Sequence, residues 1–262
     1  MGKARIDPVA AQRNLILGLL MALSVVAWAL LIWQGAGHNG GMHLASPTME
    51  LRAPLFVAIW MVMTVAMMFP TAAPMILVFH RVQSGKVQRG EAFVATWVFL
   101  AGYMLVWTLS GVAAYAGSIV FEAIASRAMF SPETTARIGG VVFVAAGLYQ
   151  LTLLKDMCLS KCRTPISFIM TSWRDGVNGA ISMGALHGAY CLGCCWLLCA
   201  IMFPLGMMNI AALATITVIV FAEKTLPWGR SVAPATAVFL VGYGIAVIVA
   251  PQGRGSKMAC FG

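Results

Sequence analysis

The sequence predicts an all-α protein, a polytopic bundle of about seven transmembrane helices with a cytoplasmic N-terminus. Of its 262 residues 61% are hydrophobic and 10% are charged, whereas about 25% of a typical soluble domain is charged. The apolar residues are gathered into runs of about twenty, which as helices can cross roughly 30 Å of hydrocarbon. Because no run alternates with the two-residue period of a barrel strand, we expect each one to be helical.

Seven apolar runs define the predicted spans, and together they form a single integral membrane domain over residues 1–262. The runs cover residues 14–34, 54–80, 92–121, 136–154, 179–203, 210–222 and 232–250. The first is expected to be a retained helix, because its apolar run is longer than that of a signal peptide. The second contains Pro70 and Pro74, which predict a kink. The largest loop is expected to be Lys155–Asn178.

The basic residues predict how these spans are oriented. With the N-terminus inside, twelve of the seventeen Lys and Arg residues fall in cytoplasmic segments, which agrees with the positive-inside rule. The net charge of +9 is distributed in short clusters between apolar runs, a pattern that favours contact with anionic lipid headgroups. No basic stripe with interleaved aromatic residues is present, so binding to nucleic acid is not expected.

The fifth span carries the densest group of chemically reactive side chains. Its members are His187, Cys191, Cys194, Cys195 and Cys199. At about 100° per residue, His187, Cys191 and Cys194 share one helix face, whereas Cys195 lies at its edge and Cys199 is expected to pack elsewhere. The stripe is about 10 Å long, too long for one ion. The predicted site is therefore Cys191 with Cys194 or Cys195, completed by a partner helix. Small residues that pack helices closely are the alternative reading.

A second pair of thiols, Cys158 and Cys162, lies in the segment KDMCLSKCRTP. If the fourth helix continues through it, both thiols share a face and can bind one ion. Neighbouring Lys and Arg residues favour the thiolate, which is the reactive and metal-binding form. Two unrelated loop cysteines are the alternative. The spacing is neither that of a redox C-x-x-C motif nor that of a complete zinc module.

Methionine and histidine supply two further predicted sets of ligands. Met67 and Met68 belong to the methionine-rich second span, where thioethers are soft ligands for Cu(I) but also adaptable packing residues. His38 and His43 flank Met42 in the first outer loop, where they could capture a metal ion at the surface. A glycine-rich loop with incidental histidines explains the same residues.

Several of these strings together resemble a known family. The strings are AMMFPTAAPM, GLYQLTLLKDMCLSKCRTP, YCLGCCW followed by GMMN, and EKTLPWG, which span about residues 50–250. They resemble a bacterial family of integral membrane proteins with predicted metal binding, a domain of unknown function. The resemblance implies a multi-pass protein of the bacterial inner membrane. It also implies metal ligation by a set of sulfur residues, namely Cys158, Cys162, Cys191, Cys194, Cys195, Met67 and Met68.

The function expected from these patterns is the binding of a soft transition metal, with copper favoured over zinc or iron. Metal handling, or supply to a membrane metalloenzyme or metal chaperone, is expected rather than catalysis, because no phosphate-binding loop or nucleophile motif is present. The alternatives are a membrane thiol–disulfide oxidoreductase and a non-catalytic subunit or assembly factor of a membrane complex. Membrane lipid is the expected surrounding of the chain.

Overall fold

The structure is a computed structural model that describes residues 8–37 and 52–250. All of its regular elements in these ranges are α-helices. They are α1 (Pro8–Gly37), α2 (Ala53–Gln88), α3 (Thr96–Arg127), α4 (Pro132–Tyr149), α5 (Leu153–Arg163), α6 (Pro165–Ser172), α7 (Gly176–Ala200), α8 (Met202–Leu205), α9 (Ile210–Thr225) and α10 (Gly229–Val249). The expected all-α architecture is thereby confirmed, and the predicted ligands His38 and His43 lie outside the described residues.

Within residues 8–37 and 52–250, five helices are long and apolar enough to cross a membrane, namely α1, α2, α3, α7 with α8, and α10. A sixth span results if α4 and α5, which meet at a bend of 64°, are counted as one. All seven predicted runs contain a helix. However, α9, the helix of the sixth predicted span, has 16 residues and rises only about 24 Å, so this span does not reach the length of the others.

The segment 155–178, expected to be a loop, is instead mostly helical. The fourth helix ends at Tyr149, and α5 starts at Leu153 in a new direction. The condition that the fourth helix continues straight through Cys158 and Cys162 is therefore not met, although both residues lie on the single helix α5. Thr152 caps α5 by accepting a hydrogen bond from the Lys155 amide, and Pro165 starts α6. This change of direction brings α5 back against α7.

Helix α2 continues past Pro70 and Pro74, because neighbouring side chains satisfy its backbone. Proline at position 70 has no N–H to donate to the Ala66 carbonyl, four residues earlier. The Trp28 indole of α1 donates to that carbonyl at 3.2 Å. Ser24 of α1 donates to the Val65 carbonyl at 3.0 Å. In an apolar environment, a carbonyl that has lost its helical hydrogen bond must find another donor within the protein, and here a neighbouring helix supplies it.

Glycine residues bring α3 and α7 into direct backbone contact. A β-carbon at Gly102 of α3 would overlap the Ile181 carbonyl of α7, and one at Gly184 of α7 would overlap the Phe99 carbonyl of α3. Gly188 lies one turn farther along the same line, against Tyr103. Close approach through small residues is the usual way helices pack in lipid. It fixes the cysteine face of α7 against the aromatic face of α3.

Candidate metal centre

Four helices meet around the buried face of α7. The thiols of Cys191, Cys194 and Cys195 are at most 2% exposed. The thiols of Cys194 and Cys195 donate to the Cys191 carbonyl at 3.1 and 2.9 Å, respectively. These bonds hold the three side chains on one turn of helix. All six described cysteines are free thiols.

The partner that α7 needed is α5, which contributes Cys162. Helix α5 packs against α7, and the Cys162 side chain lies close enough to the thiols of Cys191 and Cys194 to interact with them. Cys158, one turn earlier on α5, is instead directed toward the backbone of α7, where its sulfur faces Gly193. The structure thus brings Cys162 beside Cys191, Cys194 and Cys195 of α7, and these four residues form what we call the thiol group. Cys158 lies next to it.

Lys224 of α9 enters the same group as a buried cation. Its Nζ donates to the Cys191 sulfur at 3.0 Å and lies 3.7 Å from the Met68 sulfur of α2. Within the described residues no carboxylate lies within 4 Å of this ammonium. The Tyr103 hydroxyl of α3 contacts Cys191 at 3.1 Å. A thiol group that faces an ammonium and a phenol is surrounded by donors suited to stabilising a thiolate.

Helix α5 is attached to α9 at both of its ends. The buried Lys155 ammonium pairs with the Glu223 carboxylate at 2.7 Å, while Arg163 donates to the carbonyls of Glu223 and Leu226 at the end of α9. Unpaired carbonyls at a helix C-terminus favour such a cation. Because Cys162 precedes Arg163, these two attachments determine where its thiol lies. Glu223 and Lys224 do not pair with each other, since each contacts a different helix.

His187 lies one turn before Cys191 in an aromatic enclosure. Its ring lies 5.7 Å from that of Tyr103 and 6.1 Å from that of Phe99, both nearly parallel, and 5.6 Å from the edge-on ring of Phe168. Its Nδ1 has no hydrogen-bond partner in the described part of the chain. The ring is thereby buried beside the thiols with one nitrogen available.

The two predicted methionines have different surroundings. Met68 belongs to the thiol group through its contact with Lys224. Met67 lines a small cavity on the side of α2 that faces α8. Lys224 was the component that sequence reasoning missed as part of the site. The sequence feature that could have identified it is a lysine at the end of an apolar run.

The donor set fits a soft monovalent ion better than a hard one. Thiolates and thioethers select Cu(I), whereas carboxylate and carbonyl oxygens suit magnesium, calcium and manganese. Within residues 8–37 and 52–250, no group of three His, Cys, Asp or Glu side chains is arranged to hold a metal ion. The available centre is accordingly a pair of thiols with a thioether nearby.

Comparison with known families agrees with this chemistry. The model of the PpoB2 family, described as copper chaperone, matches residues 57–247. That range includes every helix that contributes to the thiol group. No curated protein and no solved structure matches the chain significantly. Since the match covers most of the sequence, the chain belongs to the PpoB2 copper chaperone family.

Proposed function

We propose that this protein carries Cu(I) as cargo at the buried thiol group and supplies it to a copper-using enzyme of the bacterial inner membrane. The observation that carries the proposal is the cluster of buried thiols on α7, which packs against the cysteine-bearing helix α5 and has the Lys224 ammonium 3.0 Å from the Cys191 sulfur. Two thiolates from different helices can hold Cu(I) between them, and Met68 offers a thioether. Cys195 and His187 lie within one turn as further donors.

The charge of such a centre is balanced by Lys224. Two thiolates and one Cu(I) together carry one negative charge, which is costly in an apolar interior unless it is paired. The Lys224 ammonium, 3.0 Å from the Cys191 sulfur, supplies the opposite charge. Release of the ion requires only that a partner offer a better set of thiolates or thioethers.

The number of apolar helices and the distribution of basic residues are those expected of a carrier that spans the membrane several times. Among the described residues, five or six apolar helices are long enough for this, and the positive-inside count favours a cytoplasmic N-terminus. His38, Met42 and His43 would then receive copper at the outer surface. Exchange with a cytoplasmic partner would occur near α5.

The two cysteines of α5 provide the decisive test. We expect Cys162→Ser to lower Cu(I) retention at least tenfold in the purified full-length protein, because the thiol pair across α5 and α7 is lost. Cys158→Ser, one turn away on the same helix, should retain Cu(I) as the unmodified protein does. Retention is measured by elemental analysis after competition with a Cu(I) chelator. Equal loss in both variants would contradict the assignment of Cys162 as the ligand.

The same contact between Cys162 and Cys191 favours one alternative, a thiol–disulfide oxidoreductase. Mass tagging with maleimide distinguishes the two functions. Copper carriage predicts thiols that are free and become protected only when Cu(I) is added. A redox function predicts a disulfide that forms and is reduced reversibly without bound metal.

A further inference from the structure

We propose that a second, thioether-based Cu(I) site lies between α2, α3, α7 and α8, next to the thiol group. This inference rests on the proposed carriage of copper, and apart from Met68 it concerns residues that the thiol centre does not use. A cavity of about 20 Å³ lies at this position. Its lining is Trp60, Met63, Thr64, Met67, Met68, Trp107, Cys199 and Met202.

The lining is unusual because most of it consists of sulfur-containing and indole side chains. Four of the eight lining residues are methionines, and Cys199 adds a fifth sulfur. The methionines of this lining are no more than 5% exposed. Thioethers bind Cu(I) without losing a proton, and a desolvated cation is attracted to the face of an indole ring. The volume suffices for about one water-sized occupant.

A second observation concerns an unpaired polar group in the lining of the same cavity. Trp107 is 1% exposed, and its indole N–H has no hydrogen-bond partner in the described part of the chain. Trp60, on the opposite helix, donates its own N–H to Ser110 at 3.2 Å. A buried indole normally finds a partner, and this unpaired N–H needs an acceptor, which the thioether sulfurs of the lining can supply only weakly.

Met68 connects this cavity to the thiol group. Its side chain lines the cavity, and its sulfur lies 3.7 Å from the Lys224 nitrogen that contacts Cys191. Cys199 lies eight residues beyond Cys191, about 12 Å along α7 toward the end opposite Asp175. An ion that enters from this end reaches the thioethers first. It can then be transferred by way of Met68 to the thiolates, which are stronger ligands, and it remains bound to sulfur at each step.

The two sites should differ in their response to pH. Thiolate ligands must lose protons before they bind metal, so copper affinity at the thiol group should fall as the pH is lowered. The methionine cavity contains no group that must deprotonate, apart from Cys199. Its Cu(I) affinity should change less than threefold between pH 8 and pH 5.5, at an affinity weaker than that of the thiol group.

The experiment uses the full-length protein in mild detergent, with Cys191, Cys194 and Cys195 replaced by serine to remove the stronger site. Cu(I), kept reduced with ascorbate, is titrated against a chelator at both pH values. We expect this variant to retain one weak equivalent of Cu(I), which X-ray absorption should show bound to sulfur. Adding Met63→Leu and Met202→Leu should abolish it. Met61→Leu, a methionine of α2 outside the cavity, is the matched control.

The outcomes separate this inference from the proposed function. If the unmodified protein binds Cu(I) and the serine variant binds none, the methionine site is refuted and copper carriage by the thiols stands. Retention of the weak equivalent after both leucine substitutions also refutes it. If the unmodified protein itself binds no Cu(I), the proposed function is refuted. Unchanged elution on size exclusion shows that each variant is folded.

Discussion

At the scale of single residues, Lys224 has an uncommon position for a lysine. It is 7% exposed and contacts two sulfur atoms, one of Cys191 and one of Met68. A buried ammonium without a carboxylate is costly, so a fold that retains one gains something from its charge. A centre of two thiolates, one ammonium and one monovalent ion is neutral. With a divalent ion in place of Cu(I), the same centre would carry an excess positive charge.

The charge of Lys224 should therefore determine which ions the thiol group prefers. Replacing it in Lys224→Leu removes the charge without adding a metal ligand. We expect Cu(I) affinity to fall about tenfold or more, which corresponds to about 1.4 kcal/mol, and Zn(II) retention to rise. Lys224→Arg, which keeps the charge, should restore the preference for Cu(I) in part. Both ions are measured by elemental analysis after parallel loading. An unchanged ratio of Cu(I) to Zn(II) in Lys224→Leu would contradict the charge-balance argument.

The individual ligands show what sequence patterns can and cannot resolve. Helical spacing correctly placed Cys191 and Cys194 on one face of α7, because that relation is local. The contact of Cys162 with these thiols depends on the direction that the chain takes after Tyr149. The spacing of residues in the sequence does not predict that direction. For the same reason, the sequence favoured neither Cys158 nor Cys162 over the other, and the structure places only Cys162 in contact with the α7 thiols.

At the scale of elements, the packing of α3 against α7 determines whether the site forms at all. Tyr103 and Phe99 reach Cys191 and His187 only because the two backbones touch at Gly102 and Gly184. The contact depends on the absence of two β-carbons. A larger residue at either glycine would push α3 away from the thiol group.

Two glycines of α3 offer a matched test of this packing. Gly102→Ala should destabilise the protein, because its new methyl group overlaps the Ile181 carbonyl of α7. Gly117→Ala, on the same helix with open space around it, should stabilise the helix by up to about 1 kcal/mol through the better propensity of alanine. Thermal unfolding of both variants in the same detergent gives the comparison. Equal shifts in melting temperature would show that close contact at Gly102 has no importance.

Helix α5 is the element that the sequence predicted least well. Its basic residues suggested a solvated cytoplasmic loop, yet Lys155 is buried in an ion pair with Glu223. A charged residue considered by itself is expected to be exposed, because its burial is tolerated only when it has a partner of opposite charge. That partner lies 68 residues away. The long apolar helices were predicted well because length and composition are properties of each segment alone.

At the scale of the whole molecule, the distribution of basic residues predicts which ends of the helices face the cytoplasm. Two of the residues counted as cytoplasmic, Lys155 and Lys224, are buried in the structure, so they contribute to the interior rather than to the surface. Removing them leaves ten against five, which is still the positive-inside pattern. The end of the bundle with Lys86, Arg89 and Arg174 is accordingly predicted to be the cytoplasmic one.

Labelling of single cysteines tests this orientation directly. Gln88→Cys lies at the exposed end of α2, and Ala128→Cys lies in the exposed turn after α3. We expect a membrane-impermeant maleimide to label Ala128→Cys in intact spheroplasts and to label Gln88→Cys only after the membrane is opened. Each change is made with Cys260→Ser, and the parent with that change alone is the control for native thiols. Labelling of Gln88→Cys in intact spheroplasts would reverse the orientation. The methionine cavity would then open toward the cytoplasm, and copper would have to pass through the protein in the opposite direction.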